Sequence, residues 1–159
     1  MKALTLWQPF AQLVAIGAKK IETRSWATKY RGPIAIHAAK NRGYEKNRFG
    51  KLSALRSAIN EFCITPLGKI PYGSVIAIAD LVDCVEVESA MRGIYYDRIA
   101  ILKPGIVVRG NELAFGDYTP GRYAWILKNV RRIKPVPAKG LQRLWNWEPP
   151  EQIDNCPSE

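Results

Sequence analysis

The chain has 159 residues and a mass of 17.9 kDa, with 47% apolar and 24% charged side chains, which suits one globular domain and excludes wholesale disorder. Its longest aliphatic run, Val75-Ile76-Ala77-Ile78-Ala79, is far short of the ~20 residues that span a bilayer. The formal net charge is +10, and Cys63, Cys84 and Cys156 form no CxxC pair, so neither a disulfide framework nor a zinc site is supported and the cytoplasm is the expected compartment.

Lys2 to Trp7 reads as a short strand. Pro9 suits the first turn of a helix, and Phe10, Leu13, Val14 and Gly17 recur at helical spacing, which predicts a helix over 9–18. The apolar start is not read as a leader peptide, because Trp7-Gln8-Pro9 and Gln12 interrupt it and Lys19-Lys20 occupy the place of a cleavage site. Residues 19–26 look extended. Alternate strand residues share a face, so Lys20, Glu22 and Arg24 are expected to project together, opposite Ile21 and Thr23, as the wall of a polar cleft.

Arg31-Gly32-Pro33 marks a turn. Ile34 to Ala39 is apolar on both faces and predicts a buried strand. A long helix is expected over Tyr44–Phe62, with Leu52, Leu55, Ile59 and Phe62 as its stripe. Ser74 to Val87 predicts a long strand. Residues 88–120 are punctuated by Gly and Pro, with short strands possible at 99–102 and 106–108. Arg122 to Ile133 predicts the last strand, ended by Pro135, Pro137 and Gly140, and Leu144-Trp145-Asn146-Trp147 should dock back on the body. Residues 1–147 then form the domain, and 148–159 an acidic, flexible tail. About five strands and two helices without a βαβ rhythm predict an α+β fold built on a small mixed β-barrel.

The charge is segregated. Residues 17–51 carry a balance of +8 and residues 118–143 one of +7, whereas 52–117 carry −2. Solubility alone does not call for such segregation; a polyanionic partner does, and nucleic acid is the commonest one. Glu22 among lysines and Arg24 is the sharpest chemical feature, since a carboxylate held between cations can orient an arginine or accept from an exocyclic amine. The bland alternative is a surface ion pair worth ~0–1 kcal/mol. Five tryptophans are present, and Trp7 and Trp26 fall at strand ends beside cations, the usual equipment for stacking single-stranded bases. Trp125, in an apolar strand, reads as core. The one histidine, His37, is either a core residue or a polar group beneath a bound base. One His and scattered Cys do not supply metal ligands, and no GxGxxG or P-loop pattern points to a nucleotide cofactor.

Leu6-Trp7-Gln8-Pro9-Phe10-Ala11, Gly17 to Trp26, Tyr30 to Ala39, Gly121 to Leu127 and Leu144 to Trp147 together resemble the ASCH domain, in the form of its stand-alone bacterial and phage members. The resemblance spans about residues 2–147. It implies a PUA-like fold, a closed β-barrel with flanking helices and a charged cleft, in a superfamily associated with RNA binding and modified-base recognition. The matching cleft positions are Gln8, Pro9, Lys19, Glu22, Arg24, His37 and Ala39.

Some small relatives hydrolyse N4-acetylcytidine with a lysine and a threonine on the strand matching 19–24. Lys19 corresponds to that lysine, but Glu22 stands where the threonine would be, and Thr23 should face the other side. Cleavage of single-stranded RNA by Lys and Tyr side chains is another activity in the family, and Tyr44 and Lys51 are available. The expected function is therefore a module holding single-stranded RNA, another single-stranded nucleic acid or a modified nucleoside in a cationic cleft, with no cofactor. Its binding residues would be Trp7, Gln8, Pro9, Lys20, Arg24, Trp26, Arg31, His37, Lys40 and Arg122. The alternative is a small hydrolase acting on RNA or a nucleoside, with Lys19, Glu22 and Tyr44 as its catalytic group.

Overall fold

The computed structural model describes residues 1–41, 70–92 and 98–155. Eight strands appear in them: β1 (Lys2–Leu6), β2 (Ile21–Arg24), β3 (Gly32–Ala38), β4 (Ser74–Arg92), β5 (Arg98–Leu102), β6 (Ile106–Val108), β7 (Tyr123–Pro137) and β8 (Leu144–Asn146). Two short helices accompany them, α1 (Phe10–Ala15) and α2 (Gly110–Ala114). The helix expected over Tyr44–Phe62 lies outside the described residues, as do Cys63 and Cys156. No helix among the described residues is long and apolar enough to cross a membrane.

The strands run in the order β2-β7-β4-β3-β1-β8, with β5 and β6 added along the far part of β4. β1 and β3 are parallel and the other pairs antiparallel, so the sheet is mixed. The expectation of a closed barrel is corrected. The path ends at β2 on one side and β8 on the other, and these do not pair among the described residues, so the sheet is open. What the sequence concealed was the reach of β4. Its 19 residues pair with β3 over 74–81, with β7 over 74–86 and with β5 over 87–92, passing register shifts that coil it from one sheet into the next.

Strand alternation sorts the apolar side chains onto two faces. Leu4, Leu6, Ile34, Ile36, Ile76, Leu81, Trp125 and Leu127 pack on one face, where α1 lays Ala11, Val14 and Ala15 over them. Ala3, Ala35, Val75, Ile133, Trp145 and Trp147 pack on the other. A third cluster of Val87, Ala100, Leu102, Val108, Tyr118 and Ala124 joins β4, β5 and β6 to β7. Each fully buried Leu or Ile contributes about 1.5–3 kcal/mol relative to exposure, so these clusters and not the short helices hold the sheet. Trp125 is wholly buried, as its apolar strand implied.

β7 runs past Pro135 and ends at Pro137, one of the prolines expected to end it. Beyond Ile126 its second edge faces no strand among the described residues, so a residue without an N–H is tolerated there. The tail fills part of that edge. Asn155 bridges Ile133, the Lys134 N–H donates to the Asp154 carbonyl, the Lys134 ammonium pairs with the Asp154 carboxylate at 3.0 Å, and Ile153 packs beside Ile133. At 153–155 acidic and amide groups thus meet the cations of β7.

Candidate nucleic-acid interface

The two basic segments become neighbours, because β2 pairs antiparallel with β7 from Ile21↔Ile126 to Arg24↔Tyr123. β2 begins only at Ile21, so Lys19 precedes the strand. Its backbone N–H donates to the Leu13 carbonyl at the end of α1, which turns its side chain inward past Phe10, whose ring centroid is 5.7 Å from Nζ. Lys19 is completely buried. Nζ donates to the carbonyls of Ile21 and Phe115, the latter at 2.9 Å, and lies 3.3 Å from Glu22 Oε2. Two of the ammonium's three N–H groups are thus committed to carbonyls, and Glu22 balances its charge as an ion pair.

Glu22 continues the chain of charges. Its Oε1 lies 3.2 Å from Arg24 Nε, an ion pair without hydrogen-bond alignment. Arg24 Nη2 donates to the Thr5 carbonyl at 2.9 Å. Exposure rises along the series, from 0% at Lys19 to 13% at Glu22 and 26% at Arg24. The guanidinium is therefore held from behind while several of its five donors remain for an incoming acceptor.

The opposite face of β2 is sealed. Thr23 is buried, and its Oγ1 accepts from the Asp117 N–H at 2.9 Å. Glu112 on α2 accepts from the backbone N–H groups of Lys20 and Ile21, which closes the start of the strand. Burial pushes the Glu112 carboxyl up; Lys19 and the two backbone N–H groups oppose this. Burial also pushes the Tyr118 hydroxyl up, with Glu112 and Glu22 adding to it.

The other predicted residues scatter. Lys20 is exposed, and it is Lys19, not Lys20, that meets Glu22. Trp7 is half-exposed just past β1. Trp26 is half-buried, nearly perpendicular to Trp125 with centroids 4.6 Å apart, and its carbonyl accepts from Trp125 Nε1. Arg122, just before β7, reaches the Asp117 carbonyl and carboxylate and the Thr23 carbonyl. Gln8 and Pro9 are buried. The Gln8 amide donates to the Pro71 carbonyl and accepts from the Gln12 N–H, which ties α1 to the 70–73 segment. Arg31 is engaged by Asp83 at 2.8 Å and by the Thr28 and Tyr30 carbonyls. Lys40 is exposed, its stem against Gly73.

His37 faces the other side of the sheet, among Trp145, Ala138 and Gly140. Its Nε2 is 3.0 Å from the Ala138 carbonyl, and burial holds its pKa below the usual histidine value, opposed by that hydrogen bond. Tyr44 and Lys51 lie outside the described residues. Among the described residues no group of three or more His, Cys, Asp or Glu is placed to hold a metal.

Three contributors gave no sequence signal of their role, and a fourth only its place in a basic segment. The Phe115 carbonyl and Glu112 come from the Gly-punctuated segment, and Thr5 acts through its backbone. Arg143 places its guanidinium 5.9 Å from the Trp26 ring centroid; only its membership of the basic 118–143 segment pointed to it.

The family model described as the ASCH domain matches residues 4–137. Activating signal cointegrator 1 of Mus musculus is 30% identical over 82 residues, which are 52% of this chain and 14% of that protein; the chain thus spans a small part of that relative's length. Among solved structures, a mutant form of ZmASCH from Zymomonas mobilis shares 18% identity and a TM-score of 0.47, covering 98% of this chain and 89% of that one. ASCH from the same organism shares 16% identity and a TM-score of 0.43, covering 98% and 87%.

Proposed function

For a chain that belongs to the ASCH domain family, we propose a binding module that holds single-stranded RNA, at an unpaired or modified base, in a cationic cleft around Arg24. The family's general association with RNA binding and the net charge of +10 support the class of ligand. The observation that carries the reading is the Lys19–Glu22–Arg24 series. It is rigid at its buried end and leaves guanidinium donors at its partly exposed end, the arrangement that presents an arginine to a phosphate or base edge at little entropic cost. Trp26 supplies an aromatic surface and Lys20 a further cation in the neighbouring sequence.

The hydrolase reading has less support. Lys19 is closed to solvent with its ammonium held by two carbonyls and paired with Glu22, and the Thr23 hydroxyl is occupied on the sealed face. A nucleophile must stand within reach of a base and of the substrate. The test is fluorescence anisotropy of a labelled single-stranded RNA at low salt with wild-type protein and Arg24→Ala. Binding that weakens about tenfold or more in the variant, with an unchanged melting temperature, is the expected result. Absence of binding by the wild type at low salt overturns the reading.

A further inference from the structure

The segment between β7 and β8 is fixed at its base and open at its end. The Ala138 carbonyl is held by His37 Nε2 at 3.0 Å. Gly140 lies so close to the His37 ring that an added Cβ would meet Cε1 at 2.3 Å and Nδ1 at 2.5 Å. Trp145 Nε1 donates to Thr5 Oγ1 at 3.1 Å, and Thr5 Oγ1 donates to the Leu141 carbonyl at 2.9 Å. Thr5 is also the residue whose carbonyl receives Arg24. The 138–143 segment and the Arg24 side chain are thus anchored to the same residue, from its side chain and from its backbone.

At the open end stands Arg143. Its side chain is exposed, its guanidinium lies over the Trp26 indole, and no carboxylate pairs with it among the described residues. Its backbone is left-handed, with φ 58°, a conformation that costs a non-glycine residue and that glycine would adopt freely. The aromatic contact described for this arginine is with Trp26, whose indole stands nearly perpendicular to that of Trp125 at 4.6 Å between centroids.

We propose that Trp26 and Arg143 form a stacking subsite for one unpaired nucleobase of a single-stranded nucleic acid. The base takes the indole face that the guanidinium covers in the free protein, and the planar guanidinium moves onto the outer face of the base. Both surfaces are suited to this, since indole and guanidinium planes each stack on bases irrespective of sequence. Arg24, anchored to the same Thr5, then meets the adjoining phosphate or base edge. The inference rests on the nucleic-acid reading above and adds the 138–143 segment to the binding surface.

The experiment compares a labelled hexauridine RNA with an abasic hexamer carrying the same phosphates, against wild type, Arg143→Ala, Arg143→Lys and Trp26→Leu. Wild type should bind the base-bearing hexamer at least fivefold more tightly than the abasic one. Arg143→Ala should lose about 5- to 100-fold on the base-bearing hexamer and far less on the abasic one, and Arg143→Lys, which restores charge without a plane, should not recover the difference. Trp26 touches the core, so Trp26→Leu is scored only with a native melting curve; the exposed Arg143 keeps the test decisive. Equal losses on both hexamers, or no loss, overturn the subsite and leave the parent reading standing. If wild type binds neither hexamer, both fall.

Discussion

The Lys19 ammonium and the Glu22 carboxylate lie 3.3 Å apart, with the lysine side chain wholly removed from solvent. A buried pair of this kind costs more when one partner is removed than the intact pair contributes, because the remaining charge keeps its desolvation penalty. Glu22→Ala should therefore destabilise the fold by about 3 kcal/mol. Lys19→Met combined with Glu22→Ala should recover part of that loss. Urea denaturation of the single and double variants reads both. A Glu22→Ala protein as stable as wild type would show that the two carbonyls alone satisfy Lys19.

Arg24 should behave differently from Glu22, although the two are in contact. It is a quarter exposed, and its removal leaves Glu22 still paired with Lys19. Arg24→Ala should change the melting temperature little and RNA affinity strongly, whereas Glu22→Ala changes both. Parallel melting and titration curves of the two variants separate these roles. Equal loss of stability in both would make the arginine a structural residue.

Salt dependence tests the charge argument at larger scale. β2 and β7 place the two basic segments side by side. If RNA lies across them, affinity should fall on the order of tenfold or more between 50 and 200 mM salt, because several counterions are released on binding. A log–log plot of affinity against salt concentration gives the number of phosphates engaged. A slope near zero would remove the cationic surface from the account.

Most strands were legible because period-two and doubly apolar runs leave a strong mark, as in Ile34 to Ala39 and Trp125 within its strand. The identity of the buried lysine was not. Strand parity counted back from Glu22 selects Lys20, but the strand starts at Ile21, and the hydrogen bond from Lys19 N–H to Leu13 redirects the chain before parity applies. α2 has five residues, too few to show a helical period, so Glu112 passed unnoticed as the closure of β2. Barrel closure also lay beyond sequence reading, because it depends on which strands meet at the sheet's ends. The contact of Arg143 with Trp26 is made across 117 residues by the docking of β8 on β1, an effect of topology that local pattern does not carry.

His37 gives the fold a defined response to acid. Thr5, Val75, Ala138, Gly140 and Trp145 surround it, with no carboxylate among them, and burial holds its pKa below 6.5. Below that value the unfolded chain binds a proton that the native ring resists, so stability is full above about pH 6.5 and declines as pH falls. His37→Gln, which keeps a donor for the Ala138 carbonyl but does not titrate in this range, should flatten the profile between pH 7.5 and 5.5. Since the chain has one histidine, superimposable profiles would exclude it as the source.

Gly140 tests the anchoring of the 138–143 segment without touching any charge. A methyl group there meets the His37 ring at 2.3–2.5 Å and Thr5 Oγ1 at 3.0 Å, and the ring is packed too closely to retreat. Gly140→Ala should cost about 1–3 kcal/mol through overpacking. It should also weaken RNA binding at low salt in protein that remains folded, because it displaces the base of the segment that carries Arg143. Native stability with unaltered RNA affinity would show that the segment is not fixed by this contact.

The last prediction separates binding from hydrolysis. A threonine-dependent amidohydrolase needs a hydroxyl facing its lysine, and the resemblance matches Glu22 to that position. Here the lysine donates to two carbonyls and pairs with a carboxylate, and the adjacent Thr23 accepts from Asp117 N–H on the far side of the strand. A carboxylate between two cations does not replace a hydroxyl that attacks an acyl carbon. Wild-type protein should therefore show no more than trace turnover of N4-acetylcytidine, measured by release of cytidine. Glu22→Thr restores a hydroxyl but also leaves Lys19 without its carboxylate, so its turnover is interpretable only alongside its denaturation curve. Turnover gained in a folded Glu22→Thr protein alone would identify a related pocket that lacks a nucleophile. Robust wild-type turnover that survives Glu22→Ala would overturn both the binding reading and the place given to Glu22 within it.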